Sequence, residues 1–119
     1  MKFLVVDDSS TMRRIVSNTI NNIGYKDVVL AEDGTDAIKK IKSNDFDVIM
    51  TDWNMPNMNG LELVQNVRAM EKHKDTPIIM ITTEGGREQV LSALRNGVNN
   101  YIVKPFNAKT LEEKLKDII

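Results

Sequence analysis

The sequence predicts an α/β fold in which one five-stranded parallel sheet is covered by helices on both faces. Five short apolar runs are rich in valine and isoleucine and are continuous rather than alternating, which is typical of strands buried on both faces. A helical segment follows each run. Because crossover connections are right-handed, five strand–helix repeats give an open parallel sheet in a single domain, expected to span residues 1–119 with no attached output domain.

The five predicted strands share this continuous apolar character and a length of three to four residues, which suits short buried strands. They are Phe3–Val6, Val28–Leu30, Val48–Met50, Ile78–Ile81 and Tyr101–Val103.

The predicted helices are recognised by apolar residues that recur on one face. Ser10–Ile23 is the longest, with Ser9 or Ser10 able to cap its start and Gly24 able to end it. Each of the others carries a shorter apolar stripe, and Thr35–Ser43 carries the weakest. They are Thr35–Ser43, Leu61–Met70, Arg87–Asn96 and Ala108–Ile119.

Composition excludes several classes of function. Sixteen basic and seventeen acidic residues give a net charge of −1, so we expect no nucleic-acid partner. No apolar run is long enough for membrane insertion, and the absence of cysteine suits a cytoplasmic protein. We expect a monomer. The single histidine, His73, lies in a charged stretch and is predicted to be a solvated loop residue.

Acidic residues follow two of the predicted strands. Asp7 and Asp8 come after the first strand and Asp52 after the third. Ligands of open α/β sheets bind beyond the carboxyl ends of the strands, and the common flavodoxin-like order 2-1-3-4-5 makes strands one and three neighbours. Three converging carboxylates repel, and Mg²⁺ would relieve that repulsion. Alternatively, Asp7 and Asp8 are only helix-entry acids favoured by the helix dipole.

Two further strand ends carry groups that suit a phosphoryl oxygen. Thr82 offers a hydroxyl donor and Lys104 a positive charge. Taken singly, Thr82 is explained by β propensity and Lys104 by a side chain extending from a strand end. On the same edge as the acids, the pair is better interpreted as a phosphate site.

Four segments resemble the response-regulator receiver family, and the resemblance covers the whole chain. Each segment alone is weakly specific, but the four in this order are highly specific. They are Leu4–Arg14, Asp52–Gly60, Thr82–Glu84 and Tyr101–Phe106.

The resemblance implies a phosphorylation site at Asp52, served by a histidine kinase. It implies Mg²⁺ bound by Asp8, Asp52 and the backbone carbonyl of Asn54, with Asp7 acting largely through water. Thr82 would bind the phosphoryl group and Lys104 would pair with it. The bond between Lys104 and Pro105 would be cis.

The resemblance also implies a switch. Thr82 would move toward the phosphoryl group, and the ring of Tyr101 would turn inward into the vacated space, which reshapes the surface of the fourth helix, fifth strand and fifth helix. From its position alone, Tyr101 is an aromatic residue packed at a strand start. The chain looks most like chemotaxis members of the family, whose partners are a chemotaxis-type histidine kinase, the flagellar motor switch and, in some cases, a phosphatase.

Three other functions remain open. A Mg²⁺-dependent phosphatase of the haloacid-dehalogenase type needs an acid two residues after its nucleophile, and Asn54 cannot titrate there. We therefore expect slow self-hydrolysis rather than an enzyme. A flavin or nucleotide module is opposed by the absence of a glycine-rich phosphate loop. A phosphate sink or relay intermediate without a motor partner stays within the family.

Overall fold

The computed structural model describes residues 1–118 and has the predicted α/β architecture. Five parallel strands form one sheet in the order β2-β1-β3-β4-β5, which confirms the flavodoxin-like order. The strands are β1 Lys2–Val6, β2 Asp27–Ala31, β3 Val48–Thr51, β4 Ile78–Thr82 and β5 Asn100–Val103. The helices are α1 Ser10–Asn22, α2 Gly34–Ser43, α3 Gly60–Arg68, α4 Arg87–Arg95 and α5 Ala108–Lys116.

Each face of the sheet has its own apolar core. Successive strand residues point to opposite faces, so Leu4 and Phe3 of β1 belong to different cores. Helices α2, α3 and α4 cover the Leu4 face, whereas α1 and α5 cover the Phe3 face. This burial on both faces is the reason that the strands show continuous apolar runs.

The predicted boundaries differ from the observed ones by a few residues. Strand β2 extends over Asp27 and Ala31 because backbone pairing with β1 continues past the apolar run. Helix α1 begins at Ser10 with the Ser9 hydroxyl accepting a hydrogen bond from the Met12 N–H, and it ends at Asn22. Helix α5 ends at Lys116. The predicted extension of this helix over residues 117 and 118 was wrong, because they form a turn, and Ile119 lies outside the described residues.

The prediction that His73 is solvated was wrong. After α3 the chain makes a 3₁₀ turn, Glu71–His73, and the imidazole is 1% exposed with its Nδ1 2.8 Å from the Thr76 hydroxyl. Arg68 holds this turn by donating to the carbonyls of His73 and Thr76. Burial, and then the positive charge of Lys72, lower the pKa of His73, so the ring is neutral at pH 7.

Within residues 1–118, every helix is too short or too polar to cross a bilayer.

Candidate functional site

The three predicted acids meet at the carboxyl edge of the sheet. Strands β1 and β3 pair in register, with Val6 beside Thr51, so the residues that follow them are also neighbours. One carboxylate oxygen from each of Asp7, Asp8 and Asp52 lies within 4.8 Å of the others. The predicted convergence is therefore confirmed. Asp7 and Asp52 are buried and Asp8 is exposed, which leaves the cluster open to solvent on one side.

Lys104 crosses the sheet edge to join this cluster. Its Nζ donates to Asp7 Oδ2 at 2.9 Å and to Asp52 Oδ2 at 3.0 Å, and its side chain is 13% exposed. The Lys104–Pro105 peptide bond is cis, as predicted. Burial acts to lower the pKa of Lys104, but the hydrogen bonds to both carboxylates outweigh it and raise that pKa, so the ammonium stays charged.

The other oxygen of each buried acid is held by the backbone. Asp7 Oδ1 accepts from the Ser9 N–H at 2.9 Å, and Asp52 Oδ1 accepts from the Trp53 N–H at 2.6 Å. Burial raises the pKa of Asp7, and the Lys104 hydrogen bond opposes that rise. The cluster thus holds three carboxyl groups and one ammonium, which contacts two of them. This excess of hard oxygen donors around an open side fits Mg²⁺, which binds through a few carboxylates and keeps several waters.

The loop between β3 and α3 is closed at its base by a tight backbone contact. The Gly60 N–H donates to the Trp53 carbonyl at 2.7 Å, and a Cβ at position 60 would lie 1.9 Å from the Asp52 carbonyl oxygen. Only glycine fits there. Asn59 and Glu62 then form a capping box that begins α3. The loop that carries Asn54 therefore starts and ends beside Asp52.

Asn54 is exposed, and its side-chain amide points toward the neighbouring loop. Its Nδ2 donates to Glu84 Oε1 at 2.8 Å, which joins the β3–α3 loop to the β4–α4 loop. The backbone carbonyl of Asn54, predicted as a metal ligand, belongs to the same loop as Trp53 beside the acids. Its role stays a prediction.

The two predicted switch residues also meet at Glu84. Thr82 ends β4, is fully buried, and accepts from the Glu84 N–H through its hydroxyl at 3.4 Å. The Tyr101 hydroxyl donates to the Glu84 carbonyl. Burial, followed by the negative charges of Glu84 and Asp52, raises the pKa of Tyr101 to about 12. The Tyr101 side chain is half-buried, and its hydroxyl is held at the loop that follows Thr82.

Glu84 is a site residue to which the sequence analysis gave no role. Its carboxylate accepts a hydrogen bond from the Asn54 amide, and its backbone carbonyl accepts one from the Tyr101 hydroxyl. Its backbone N–H donates to the Thr82 hydroxyl. In the sequence, Glu84 is one acidic residue after two threonines, and no motif or spacing distinguishes it from other acidic residues in loops. Only the meeting of two loops reveals it.

Comparisons with known proteins agree with this geometry. Residues 3–116 match the model of the response regulator receiver domain. A chemotaxis protein CheY homolog from Campylobacter jejuni is 59% identical over all of this chain and 92% of its own length. Chemotaxis protein CheY1 of Helicobacter pylori is also 59% identical, over 97% of its length. The solved structure of chemotaxis response regulator CheY4 of Vibrio cholerae superposes with a TM-score of 0.93 at 42% identity, covering 99% of this chain and 98% of that one.

Proposed function

The chain belongs to the response regulator receiver domain family, and on that premise we propose that it is a phosphorylation-dependent signalling switch. In this proposal Asp52 accepts a phosphoryl group from a phosphorylated histidine of a kinase. The observation that carries it is the cluster of Asp7, Asp8 and Asp52 with Lys104 bound to two of the three.

The proposed transfer conserves charge and bonds. A carboxylate oxygen of Asp52 attacks phosphorus, and the phosphorus–nitrogen bond of the donor breaks. The ring nitrogen keeps the bonding electron pair, and the ring takes up one proton from solvent to leave as neutral imidazole. The product is an acyl phosphate on Asp52. The Asp8 and Asp52 carboxylates and the Asn54 carbonyl would hold Mg²⁺, with Asp7 acting through water. When bound, the ion neutralises charge on the phosphoryl oxygens.

Lys104 and Thr82 are proposed to bind the product. Lys104 already donates to Asp52 at 3.0 Å, and this proximity supports a role in pairing with a phosphoryl oxygen. The Thr82 hydroxyl makes only a long 3.4 Å contact with the Glu84 N–H, so it gives up little by turning to the phosphoryl group. Its movement would free space for the Tyr101 ring to turn inward.

The proposed output surface is built by α4, β5 and α5. It carries the exposed apolar side chains of Leu94 and Val103 and a groove of about 470 Å³ beside Tyr101 and Phe106. The names of the relatives support a chemotaxis pathway. We therefore propose a chemotaxis-type histidine kinase as the donor, the flagellar motor switch as the target, a phosphatase as a further partner, and the cytoplasm as the location.

The proposal assigns no turnover chemistry to the site. The Asn54 amide cannot act as an acid or base, and its donation to Glu84 keeps it turned away from that task. Hydrolysis of the acyl phosphate would therefore be slow, which suits a switch rather than a phosphatase.

Intact-mass spectrometry after incubation with acetyl phosphate tests the phosphorylation site. We expect one added phosphoryl group in the presence of Mg²⁺, little with a chelator, and none in Asp52→Asn. Asp45→Asn is the matched control, because this exposed carboxylate precedes β3 at the opposite edge of the sheet. Steady phosphate release without a persistent adduct would instead support the phosphatase alternative, and unchanged labelling of Asp52→Asn would refute the assignment.

A capture experiment separates the motor-switch target from a phosphate sink. The flagellar motor switch protein is immobilised, and the wild type and Asp52→Ala are applied with and without beryllofluoride, a mimic of the acyl phosphate. We expect strong capture only for the wild type with beryllofluoride. Equal capture in all four conditions would refute the switch, and no capture in any would favour the sink.

A further inference from the structure

The β3–α3 loop contains a strained backbone turn. Asn57 has a φ of 68°, a left-handed conformation that residues other than glycine seldom adopt. The Met58 N–H donates across it to the Pro56 carbonyl at 2.7 Å, the hydrogen-bond pattern of a γ-turn. Such turns persist only where surrounding contacts hold them, and they concentrate at functional sites.

A buried carboxylate from another element holds this turn. Asp33, which caps α2 and is 7% exposed, accepts from the Asp36 N–H through Oδ1 at 2.7 Å. Its Oδ2 accepts from Asn57 Nδ2, also at 2.7 Å. The Asp36 N–H, and then the Asn57 amide, lower the pKa of Asp33, so both hydrogen bonds are to a charged acceptor and are strong.

A second contact brings the backbone of the turn onto the start of α2. The Gly34 N–H donates to the Met58 carbonyl at 3.1 Å, and a Cβ at position 34 would lie 2.6 Å from that oxygen. The close approach requires glycine at this position. The turn is therefore fixed by one side chain and one backbone group of adjacent residues, neither of which touches the acidic cluster.

We propose that Asp33 is a positioning residue for the metal site. The inference rests on the proposed function, in which the Asn54 carbonyl is a ligand. Residues 53–59 are pinned at the base by the hydrogen bond between Gly60 and Trp53. The path of the chain between those ends, and with it the Asn54 carbonyl, depends on the turn at Asn57, which Asp33 holds. Supporting contacts of this kind tune metal affinity without touching the metal.

The test measures Mg²⁺ affinity by calorimetry and by the fluorescence of Trp53, which is the single tryptophan and borders Asp52. Asp33→Ala and Asp33→Asn form a matched pair, since both remove one negative charge. Only the asparagine keeps the contact, because the Asn57 amide can rotate to accept from the introduced amide. Ile41→Val, a buried change in the same helix, controls for lost stability.

We expect Asp33→Ala to weaken Mg²⁺ binding roughly tenfold, and Asp33→Asn and Ile41→Val to stay within about twofold of the wild type. Asn57→Asp places two carboxylates against each other and should also weaken binding. Adding Asp33→Asn to it restores the hydrogen bond and the wild-type charge, and should restore the affinity. This double variant decides the matter if Asp33→Ala does not fold.

Three results would overturn the inference. Equal Mg²⁺ affinities for Asp33→Ala and Asp33→Asn, or no recovery in the double variant, would refute the positioning role while the proposed function stands. Failure of the wild-type chain itself to bind Mg²⁺ would overturn the metal site and this inference with it.

Discussion

Removing the Lys104 ammonium should destabilise the metal-free protein more than any exposed lysine does. In Lys104→Met the alkyl stem is kept and the charge is lost. Asp7 and Asp52, whose side chains are 5% and 11% exposed, then face each other without a cation. Breaking a buried pair in this way costs about 3–5 kcal/mol, because the remaining charge is left uncompensated. Since the cluster opens to solvent at Asp8, we expect the lower end, about 3 kcal/mol.

A loss of that size lowers the melting temperature of a domain this long by roughly 10 °C. Urea unfolding and calorimetry with a chelator present measure both quantities. Mg²⁺ should recover more stability in Lys104→Met than in the wild type, because the two carboxylates then lack the ammonium that otherwise pairs with both.

Lys74→Met is the matched control, since the Lys74–Glu71 pair at 3.3 Å has side chains that are 58% and 90% exposed. Exposed pairs contribute at most about 1 kcal/mol. If the two variants lose the same stability without metal, or if Mg²⁺ recovers no more in Lys104→Met, the charge argument for the site is wrong.

Three further predictions concern stability. Below pH 6.5 the unfolded chain binds a proton at His73, whereas the folded ring, whose pKa is lowered, stays neutral. The free energy of unfolding should therefore decrease as the pH falls, by up to about 1.4 kcal/mol per pH unit. In His73→Phe the urea midpoint should change less between pH 6.5 and 5.5 than it does in the wild type. Gly60→Ala should lower the free energy of unfolding by at least about 2 kcal/mol, because the new Cβ would lie 1.9 Å from a backbone oxygen. Gly85→Ala should lower it less, because its Cβ would lie 3.1 Å from a valine methyl group; thermal unfolding measures both. Arg68→Lys should lower the free energy of unfolding in urea by about 2 kcal/mol, because an ammonium cannot donate to the five acceptors that the planar guanidinium reaches. A change below about 0.5 kcal/mol would contradict this.

The fold was predictable because its signals are local and repeat. A strand covered on both faces must be apolar throughout, and a helix against the sheet must be apolar on one side, so β1 with α1 already shows the rule in residues 3–23. The convergence of Asp7 and Asp52 followed from the same periodicity together with the strand order. That order came from the fold class rather than from any residue in the chain.

The misjudged and unassigned residues depend on contacts between distant segments. His73 is buried because a 3₁₀ turn folds back beneath α3, and its charged neighbours in sequence gave the opposite indication. Glu84 and Asp33 are ordinary loop and cap acids until Asn54 and Asn57 come within 2.8 Å and 2.7 Å of them. No spacing along the chain encodes either contact.

The two edges of the sheet divide stability from function. At the edge where the strands begin, two basic side chains donate hydrogen bonds to backbone carbonyls of three helix–strand connections. Arg68 donates to the carbonyls of His73, Thr76 and Gly97, and Lys72 donates to those of Ile41 and Asn44. At the carboxyl edge, three acids lie together, and Lys104 pairs with Asp7 and Asp52. Cations at the first edge thus stabilise the fold with no ligand. At the second edge Lys104 pairs with two of the three carboxylates, and the remaining excess of negative charge is what a bound cation would neutralise. Variants at Arg68 or Lys72 should therefore change unfolding midpoints without changing the Mg²⁺ dependence of labelling at Asp52, and a change in that dependence would show that the edges are coupled.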